Sequence, residues 1–301
     1  MSAKNAVIGD GREQGAVLKA APAGFTRDQW ATFERDGILV IPNAINPDAT
    51  DSYLAAARRY LDADGSFDAR HTWKIRDLIR RDPLFEELID HPRHVGFAYD
   101  LYGDQTRLAQ ADMFARPKGS VINHWHVDGP RALPYRVFSP VLPLKLRIGY
   151  WLTDVPHGDM GNLVYLPGSH RADYRGNHAG LADIEGQKIL CCTAGTMTIA
   201  HASLWHRVCG NTSDRTRINL FLSYTPSWIT GYYRYGSDWL ANLTREQRIL
   251  LRSYADSEDL TRPPSSDIPL FLDPGSAVGD EREVHKVRRL TRFERQFLEP
   301  S

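Results

Sequence analysis

The densest group of metal-ligand residue types in the chain lies at positions 123–128, which read Asn-His-Trp-His-Val-Asp. Side chains two positions apart on a β-strand point to the same face, so His126 and Asp128 can point together into one cavity. Two such ligands and one distant histidine form the two-histidine, one-carboxylate set of non-haem Fe(II) oxygenases, which leaves open positions for a co-substrate and oxygen. The pattern predicts an iron site whose third ligand lies elsewhere in the chain.

A second His-x-Asp pattern, His157-Gly158-Asp159, shows that the pattern alone is weak. It lies between Val155 and Gly161 in a segment that contains one proline and two glycines, which predicts a turn rather than a strand. In a turn the two side chains diverge, so we expect solvated polar residues here and no metal.

The third ligand comes from the histidines that follow, and the spacing favours one of them without excluding the others. His206 lies 80 residues after His126, and Arg217 follows His206 by eleven residues, enough for a turn and an adjacent antiparallel strand. An arginine beside a metal can bind a carboxylate bidentately, which lysine does less well. The candidates are His170, His178, His201 and His206.

The segment from about 106 to 224 consists of short β-forming runs separated by Gly and Pro turns. This pattern of short strands and turns predicts an antiparallel sandwich or jelly roll. The runs are at 108–114, 144–152, 163–166, 195–199 and 218–224.

Helix-start signals flank this β-rich segment on both sides. Thr26 and Gln29 form a capping box before a helix that ends at Gly37, and Thr244 and Gln247 form another near the C-terminus. Residues 38–41 predict a strand, and 262–280 a loop. Further helix starts are expected at 46–47, 82–83 and 91–92. We therefore predict an α+β, mainly β protein: a flexible arm at 1–24, then one domain at 25–301 with a β core flanked by N- and C-terminal helices.

The composition excludes several classes of partner. The 301 residues contain 37 basic and 37 acidic side chains, so the chain has no excess positive charge for nucleic acid or an anionic membrane surface. No apolar run reaches the ~20 residues of a membrane helix, and the N-terminus lacks the apolar stretch of a signal peptide. The three cysteines form no disulfide framework. We expect a cytoplasmic protein.

Several motifs, in order along the chain, resemble those of the phytanoyl-CoA dioxygenase family of Fe(II)/2-oxoglutarate oxygenases. They are 110–117 (QADMFARP), 125–128 (WHVD), 149–154 (GYWLTD), 161–170 (GNLVYLPGSH) and 204–217 (LWHRVCGNTSDRTR), and 33–40 resembles the family's N-terminal helix and strand. The resemblance covers residues 25–230. It implies a double-stranded β-helix, which is a cupin-like jelly roll.

The resemblance also implies the metal ligands and the reaction. It makes His126, Asp128 and His206 the ligands of Fe(II), with 2-oxoglutarate and molecular oxygen as co-substrates. Halogenating relatives replace this carboxylate to make room for chloride, so Asp128 favours hydroxylation or another C–H oxidation, with release of succinate and CO2.

The resemblance further implies how 2-oxoglutarate is held. Arg217 matches the arginine that binds its carboxylate, and Gln110 and Trp151 match positions near it. Two positions depart from the family: Arg116 stands where relatives often have lysine, and Val208 stands where a small hydroxyl residue often contacts the co-substrate.

The substrate is less constrained by the sequence. Aromatic residues are frequent from 224 to 239, and of these Trp228 and Tyr232 are candidates for lining a substrate pocket, with packing as the alternative. Arg131 follows the ligand segment and is a candidate contact for an anionic group. The neutral charge and aromatic flank favour a small-molecule metabolite, such as an intermediate of specialised metabolism.

Two alternatives remain. A zinc-dependent hydrolase could use His124, His126 and Asp128, but its signature usually continues with another histidine, and position 129 is glycine. That hydrolase would also leave Arg217 unexplained. A non-catalytic jelly-roll metal-binding protein is the other alternative, although no ligand of the iron site is missing.

Overall fold

The computed structural model describes residues 18–63, 72–128, 143–171, 180–251 and 267–272. The chain divides into two compact units. We call Asp28–Leu88 with Gln110–Tyr224 the core unit, and Met1–Arg27 with Ile89–Ala109 and Thr225–Ser301 the terminal unit. The assignment of residues 25–301 to one domain stays a prediction.

The elements follow the predicted order, with helices before and after a strand-rich middle. The helices are α1 Arg27–Asp36, α2 Pro47–Ala63, α3 Pro83–Glu86, α4 Val95–Tyr102, α5 Ser237–Leu240 and α6 Arg245–Leu251. The strands are β1 Ile38–Ile41, β2 Trp73–Arg76, β3 Thr106–Arg116, β4 Leu146–Trp151, β5 Leu163–Tyr165, β6 Lys188–Ile189, β7 Thr196–His201, β8 His206–Val208 and β9 Arg217–Pro226. None of the described helices combines the length and apolar composition that crossing a bilayer requires.

Two antiparallel sheets form the β core. The larger has the order β1-β7-β4-β9-β3-β2, and the smaller has the order β6-β5-β8. Apolar side chains from both sheets meet in one buried cluster, to which β1 contributes Ile38, β4 contributes Trp151, and β5 contributes Leu163 and Tyr165. Strands alternate their side chains between two faces, so each sheet can bury one face against the other. The predicted mainly β jelly-roll fold is confirmed.

The helix signals of the N-terminal third are confirmed except for one. Asp82 caps α3, because its carboxylate accepts a hydrogen bond from Leu84 N at 3.0 Å. The start expected at His91 and Pro92 is wrong by several residues, since α4 begins at Val95. His91 Nδ1 instead accepts a hydrogen bond from Arg93 N at 3.1 Å, so a local side-chain turn precedes the helix.

The terminal unit contains the predicted C-terminal capping box. Gln247 N donates to Thr244 Oγ1 at 3.3 Å, and Thr244 N donates to Gln247 Oε1 at 3.1 Å, so the box at the start of α6 is reciprocal. Part of the expected arm is described, and there Ala21 N donates to Leu272 O at 2.9 Å. Residues 1–17 and most of the expected loop at 262–280 lie outside the described residues.

Candidate metal centre

Three side chains of the core unit converge at the edge of the smaller sheet. His206 begins β8, and His126 forms an antiparallel bridge to it through two backbone hydrogen bonds of 2.9 and 3.0 Å. Asp128 N donates to Ala202 O at 2.9 Å, which holds the third side chain on the same side. The ligand atoms of His126, Asp128 and His206 all lie within 4.8 Å of one another. Among the described residues this is the one such group of three.

Backbone carbonyls orient both imidazole rings. His126 Nδ1 lies 2.9 Å from the His124 carbonyl oxygen, and His206 Nδ1 lies 3.0 Å from the Leu204 carbonyl oxygen. A carbonyl oxygen only accepts, so each Nδ1 carries the proton and each Nε2 keeps its lone pair. The two rings are thus prepared to bind a metal through Nε2, the arrangement that ligating histidines use.

The Asp128 carboxylate completes the group and has an oxygen that fits a metal. Its Oδ2 atom lies 3.7 Å from His206 Nε2 and 2.7 Å from Arg147 Nη1. This oxygen is buried, and its contact with Arg147 is an ion pair that lacks the alignment of a directed hydrogen bond. A buried carboxylate oxygen beside imidazole Nε2 atoms suits a divalent cation.

The protonation states of the site also suit a metal. Burial lowers the pKa of His206 to about 4, so its ring is neutral at neutral pH. Burial alone raises the pKa of Asp128, but Arg147 and His206 outweigh this effect and hold it well below its usual range. Metal ligands must be deprotonated, and these two residues already are at neutral pH.

Arg217 lies at the start of β9 in a buried, polar environment. The residue is 3% exposed, and its guanidinium donates from Nη1 to Gly161 O at 2.7 Å and lies 5.3 Å from the Trp151 ring centre. Burial and the nearby Arg116 lower the pKa of Arg217 to about 9, so it remains a cation at neutral pH. No carboxylate of a described residue pairs with Arg217 or Arg116. Two buried guanidinium groups without a counter-ion fit an anionic ligand.

Arg147 was not identified from the sequence, although it is the residue that contacts Asp128. It lies on β4, and its guanidinium is 4.2 Å from the Phe221 ring centre. The available signal was a charged residue within the apolar run Leu-Arg-Ile-Gly-Tyr-Trp at 146–151. A charge on the covered face of a strand needs a partner, but the sequence does not say which.

The other candidate co-substrate residues lie in the core unit. Trp151 is fully buried and, as described above, adjoins Arg217. The side chain of Gln110 donates from Nε2 to Asp112, which is also paired with Lys74 at 2.7 Å. The roles of Trp151 and Gln110 in binding 2-oxoglutarate stay predictions.

Two of the three candidate substrate residues lie in the described part of the chain. Trp228 and Tyr232 belong to the terminal unit and are 53% and 60% exposed. Arg131 lies outside the described residues. The roles of all three stay predictions.

Two of the competing histidines are buried in the protein core. His201 Nδ1 accepts a hydrogen bond from Ser203 N at 3.0 Å, and His170 Nε2 donates to Glu34 O at 3.1 Å. Their ring centres are 5.0 Å apart. His178 lies outside the described residues.

His157 and His124, the other two histidines considered as ligands from the sequence, do not belong to the ligand group. His157 is exposed in a turn where Asp159 has a positive φ of 60°, as the glycine and proline signals predicted. His124 is exposed and contributes its backbone carbonyl, which contacts His126. The hydrolase ligand set with His124 is therefore not the one that the structure assembles.

The structural comparisons find solved structures with the same fold. HygX from Streptomyces hygroscopicus, with nickel and 2-oxoglutarate bound, matches with a TM-score of 0.61 and 20% identity over 72% of this chain and 94% of that chain. The carbocyclase SnoK from nogalamycin biosynthesis matches with a TM-score of 0.56 and 21% identity over 74% and 94% of the two chains. The epimerase SnoN from the same biosynthesis matches with a TM-score of 0.54 and 24% identity over 66% and 82%.

The sequence comparisons identify the family. A search of curated proteins finds no significant match to the chain. The family model of phytanoyl-CoA dioxygenase (PhyH) matches residues 33–219, a span that includes His126, Asp128, His206 and Arg217. This span is more than half of the chain, so the protein belongs to the phytanoyl-CoA dioxygenase family.

Proposed function

We propose that this protein is an Fe(II)- and 2-oxoglutarate-dependent dioxygenase that hydroxylates a small-molecule metabolite. The observation that carries the proposal is the group of His126, Asp128 and His206, whose ligand atoms lie within 4.8 Å of one another. The family membership and the fold of HygX, which binds nickel and 2-oxoglutarate, support the same assignment.

The residues of the centre have separate tasks in this proposal. His126 and His206 would bind the metal through Nε2, and Asp128 would bind it through its carboxylate. Bound iron and 2-oxoglutarate would supply the activation of oxygen and the oxidation of a C–H bond. Arg217 would bind the carboxylate at the far end of 2-oxoglutarate and fix its orientation.

The neighbouring apolar residues would keep water out of the centre. Leu204 and Trp151 are buried, and Leu163 and Phe221 line the small cavity beside Asp128 and His206. A dry cavity protects a reactive centre from side reactions and leaves it available to the intended C–H bond.

The relatives support a small-molecule substrate. HygX has been crystallised with hygromycin B, and SnoN with nogalamycin RO. Both ligands are small molecules, which agrees with the absence of a net basic charge on this chain. Asp128 keeps the carboxylate ligand, and hydroxylation is the reaction we propose. SnoN and SnoK are described as an epimerase and a carbocyclase, so the reaction itself must be measured.

The first test is an anaerobic titration of the Fe(II)-loaded protein with 2-oxoglutarate, monitored by visible absorption. A keto acid that chelates iron gives a weak charge-transfer band, and this readout does not require the substrate. We expect the band in the wild type, and a weaker band in Arg217→Ala at the same concentration of 2-oxoglutarate. His157→Ala is the matched control and should behave like the wild type. No band in the wild type, together with tight zinc binding, would contradict the proposal and favour a hydrolase or a non-catalytic metal protein.

A further inference from the structure

Asn219 is a buried polar residue that neither the sequence motifs nor the proposed metal ligands explain. It is the third residue of β9 and is 0% exposed. Neither its Nδ2 nor its Oδ1 atom forms a hydrogen bond with a described residue. Buried amides are normally bonded, because leaving them unpaired costs free energy. Such an exception is expected where a molecule bound beside the residue supplies the missing partner.

The register of the sheet places Asn219 on the same face as Arg217. The two residues are two positions apart on β9, so their side chains share a face. Asn219 is the cross-strand neighbour of Trp151, whose ring lies 5.3 Å from the Arg217 guanidinium. Trp151 does not satisfy the Asn219 amide, because its Nε1 donates to Thr198 Oγ1 at 3.2 Å on the other neighbouring strand.

The same face of β9 continues from Asn219 towards the metal ligands. Phe221 is the next residue on this face, and its ring centre lies 4.2 Å from the Arg147 guanidinium. Arg147 in turn contacts Asp128 at 2.7 Å. Asn219 therefore lies along β9 between Arg217, which would bind the far carboxylate, and Phe221, which packs on the arginine that contacts Asp128.

We propose that Asn219 binds 2-oxoglutarate directly, with its Nδ2 amide donating a hydrogen bond to a carboxylate oxygen of the co-substrate. This inference rests on the proposed function. A hydrogen bond from an amide to a carboxylate satisfies a buried donor and adds a neutral contact beside the cationic Arg217.

The test is a calorimetric titration of 2-oxoglutarate into the Ni(II)-loaded protein under conditions without turnover. We expect Asn219→Leu to weaken 2-oxoglutarate binding about tenfold or more, since it removes a hydrogen bond to a charged group. Nickel affinity should stay within about twofold, because Asn219 is not a metal ligand. Asn219→Asp keeps the shape but cannot donate from a carboxylate, so it should also weaken binding.

A stability measurement separates this role from a structural one. Without 2-oxoglutarate, Asn219→Leu should unfold at the same temperature as the wild type or a higher one, because it removes an unpaired buried amide. Ser223→Ala is the matched control on the same strand, since Ser223 Oγ is also buried without a partner among the described residues. It should leave the affinity for 2-oxoglutarate unchanged.

The possible failures are distinguishable. If the wild type binds 2-oxoglutarate and both Asn219 variants bind it equally well, the inference is wrong and the proposed function stands. A lower unfolding temperature of Asn219→Leu with unchanged 2-oxoglutarate affinity would likewise overturn it and indicate a structural amide. If the Ni(II)-loaded wild type does not bind 2-oxoglutarate, the proposed function fails, and this inference fails with it.

Discussion

The guanidinium of Arg147 lies 2.7 Å from Asp128 Oδ2, the carboxylate oxygen that is also 3.7 Å from His206 Nε2. The two side chains are only 15% and 18% exposed, and Arg147 also stacks on Phe221. Arg147 thus holds the charge of Asp128 in the metal-free protein. A bound divalent metal would take over that task and would be repelled by the same arginine.

Replacement of Arg147 by methionine should therefore affect the metal-free and metal-loaded proteins differently. We expect Arg147→Met to lower the free energy of unfolding of the metal-free protein by about 2–4 kcal/mol, because it leaves a mostly buried carboxylate without its cation. The loss should be clearly smaller in the presence of Ni(II). Urea unfolding with and without metal measures both values.

The control for this effect removes the carboxylate as well. The double variant Arg147→Met/Asp128→Asn leaves no unpaired charge at this position. Its free energy of unfolding without metal should therefore lie between that of Arg147→Met and that of the wild type. An equal loss from Arg147→Met with and without metal would show that the arginine acts through packing alone.

Substitution of the predicted ligands should distinguish the metal centre from the second His-x-Asp pattern at 157–159. His126→Ala and His206→Ala should each abolish stoichiometric iron binding, because each removes one of three protein ligands. His157→Ala should retain it, since His157 lies in an exposed turn. The bound iron is measured after anaerobic loading and desalting. Loss of iron from His157→Ala alone would overturn the ligand assignment.

Substitution of Gly161 should affect both stability and the binding of 2-oxoglutarate. Its φ is +74°, and a Cβ there would lie 3.3 Å from Arg116 Cβ and 3.7 Å from Arg217 Cδ. Gly161→Ala should cost about 1–3 kcal/mol of stability through backbone strain. It should also weaken 2-oxoglutarate binding, because the Gly161 carbonyl accepts the hydrogen bond from Arg217.

A nearby glycine supplies the matched control. A Cβ on Gly158 meets nothing closer than Ile189 Cδ1 at 3.8 Å, so Gly158→Ala should change stability by less than about 0.5 kcal/mol. Chemical unfolding and calorimetric 2-oxoglutarate titration compare the two variants. If Gly161→Ala matches Gly158→Ala in both measurements, the strained turn does not support Arg217.

We expect His91 to make the protein less stable as pH falls. Burial, together with Arg93, lowers its pKa to about 4 from the ordinary value of 6.5. The unfolded chain binds the proton first as pH falls, so this contribution to stability is full above pH 6.5 and is lost as pH falls towards 4. The neutral ring also accepts the hydrogen bond from Arg93 N, which the protonated ring cannot do.

The variant His91→Asn isolates this contribution. Asparagine can accept the same turn hydrogen bond but does not titrate, so its stability should fall less than that of the wild type between pH 7 and pH 4.5. Urea unfolding of the two proteins at both pH values gives the difference. If the two proteins lose the same free energy of unfolding between pH 7 and pH 4.5, the prediction is wrong and other groups cause the acid sensitivity.

Much of the fold could be predicted from the sequence because its signals are local. The capping box of Thr244 and Gln247, the cap at Asp82 and the turn around His157 depend on neighbours within a few residues. The β-rich runs likewise follow from residue type and alternation over short distances. The one helix start that was wrong, before α4, failed because His91 forms a competing local turn.

The metal centre was predicted in part for a related reason. The two-residue spacing of His126 and Asp128 is visible in the sequence, and the family motifs indicated His206 and Arg217 as their distant partners. Spacing alone left four histidines open. The tertiary structure resolved two of them, because His170 and His201 are buried beside each other and bonded to backbone groups.

Element types, the family resemblance and the pair His126 and Asp128 could be predicted without coordinates, because they depend on residue type and short-range order. The coordinates were needed to show which Nε2 atoms face the site, which cation contacts Asp128 and which amide on β9 has no partner among the described residues. Those relationships depend on the register between strands that are far apart in the chain. Register is set by the packing of whole sheet faces, and no local pattern encodes which side chains it brings into contact.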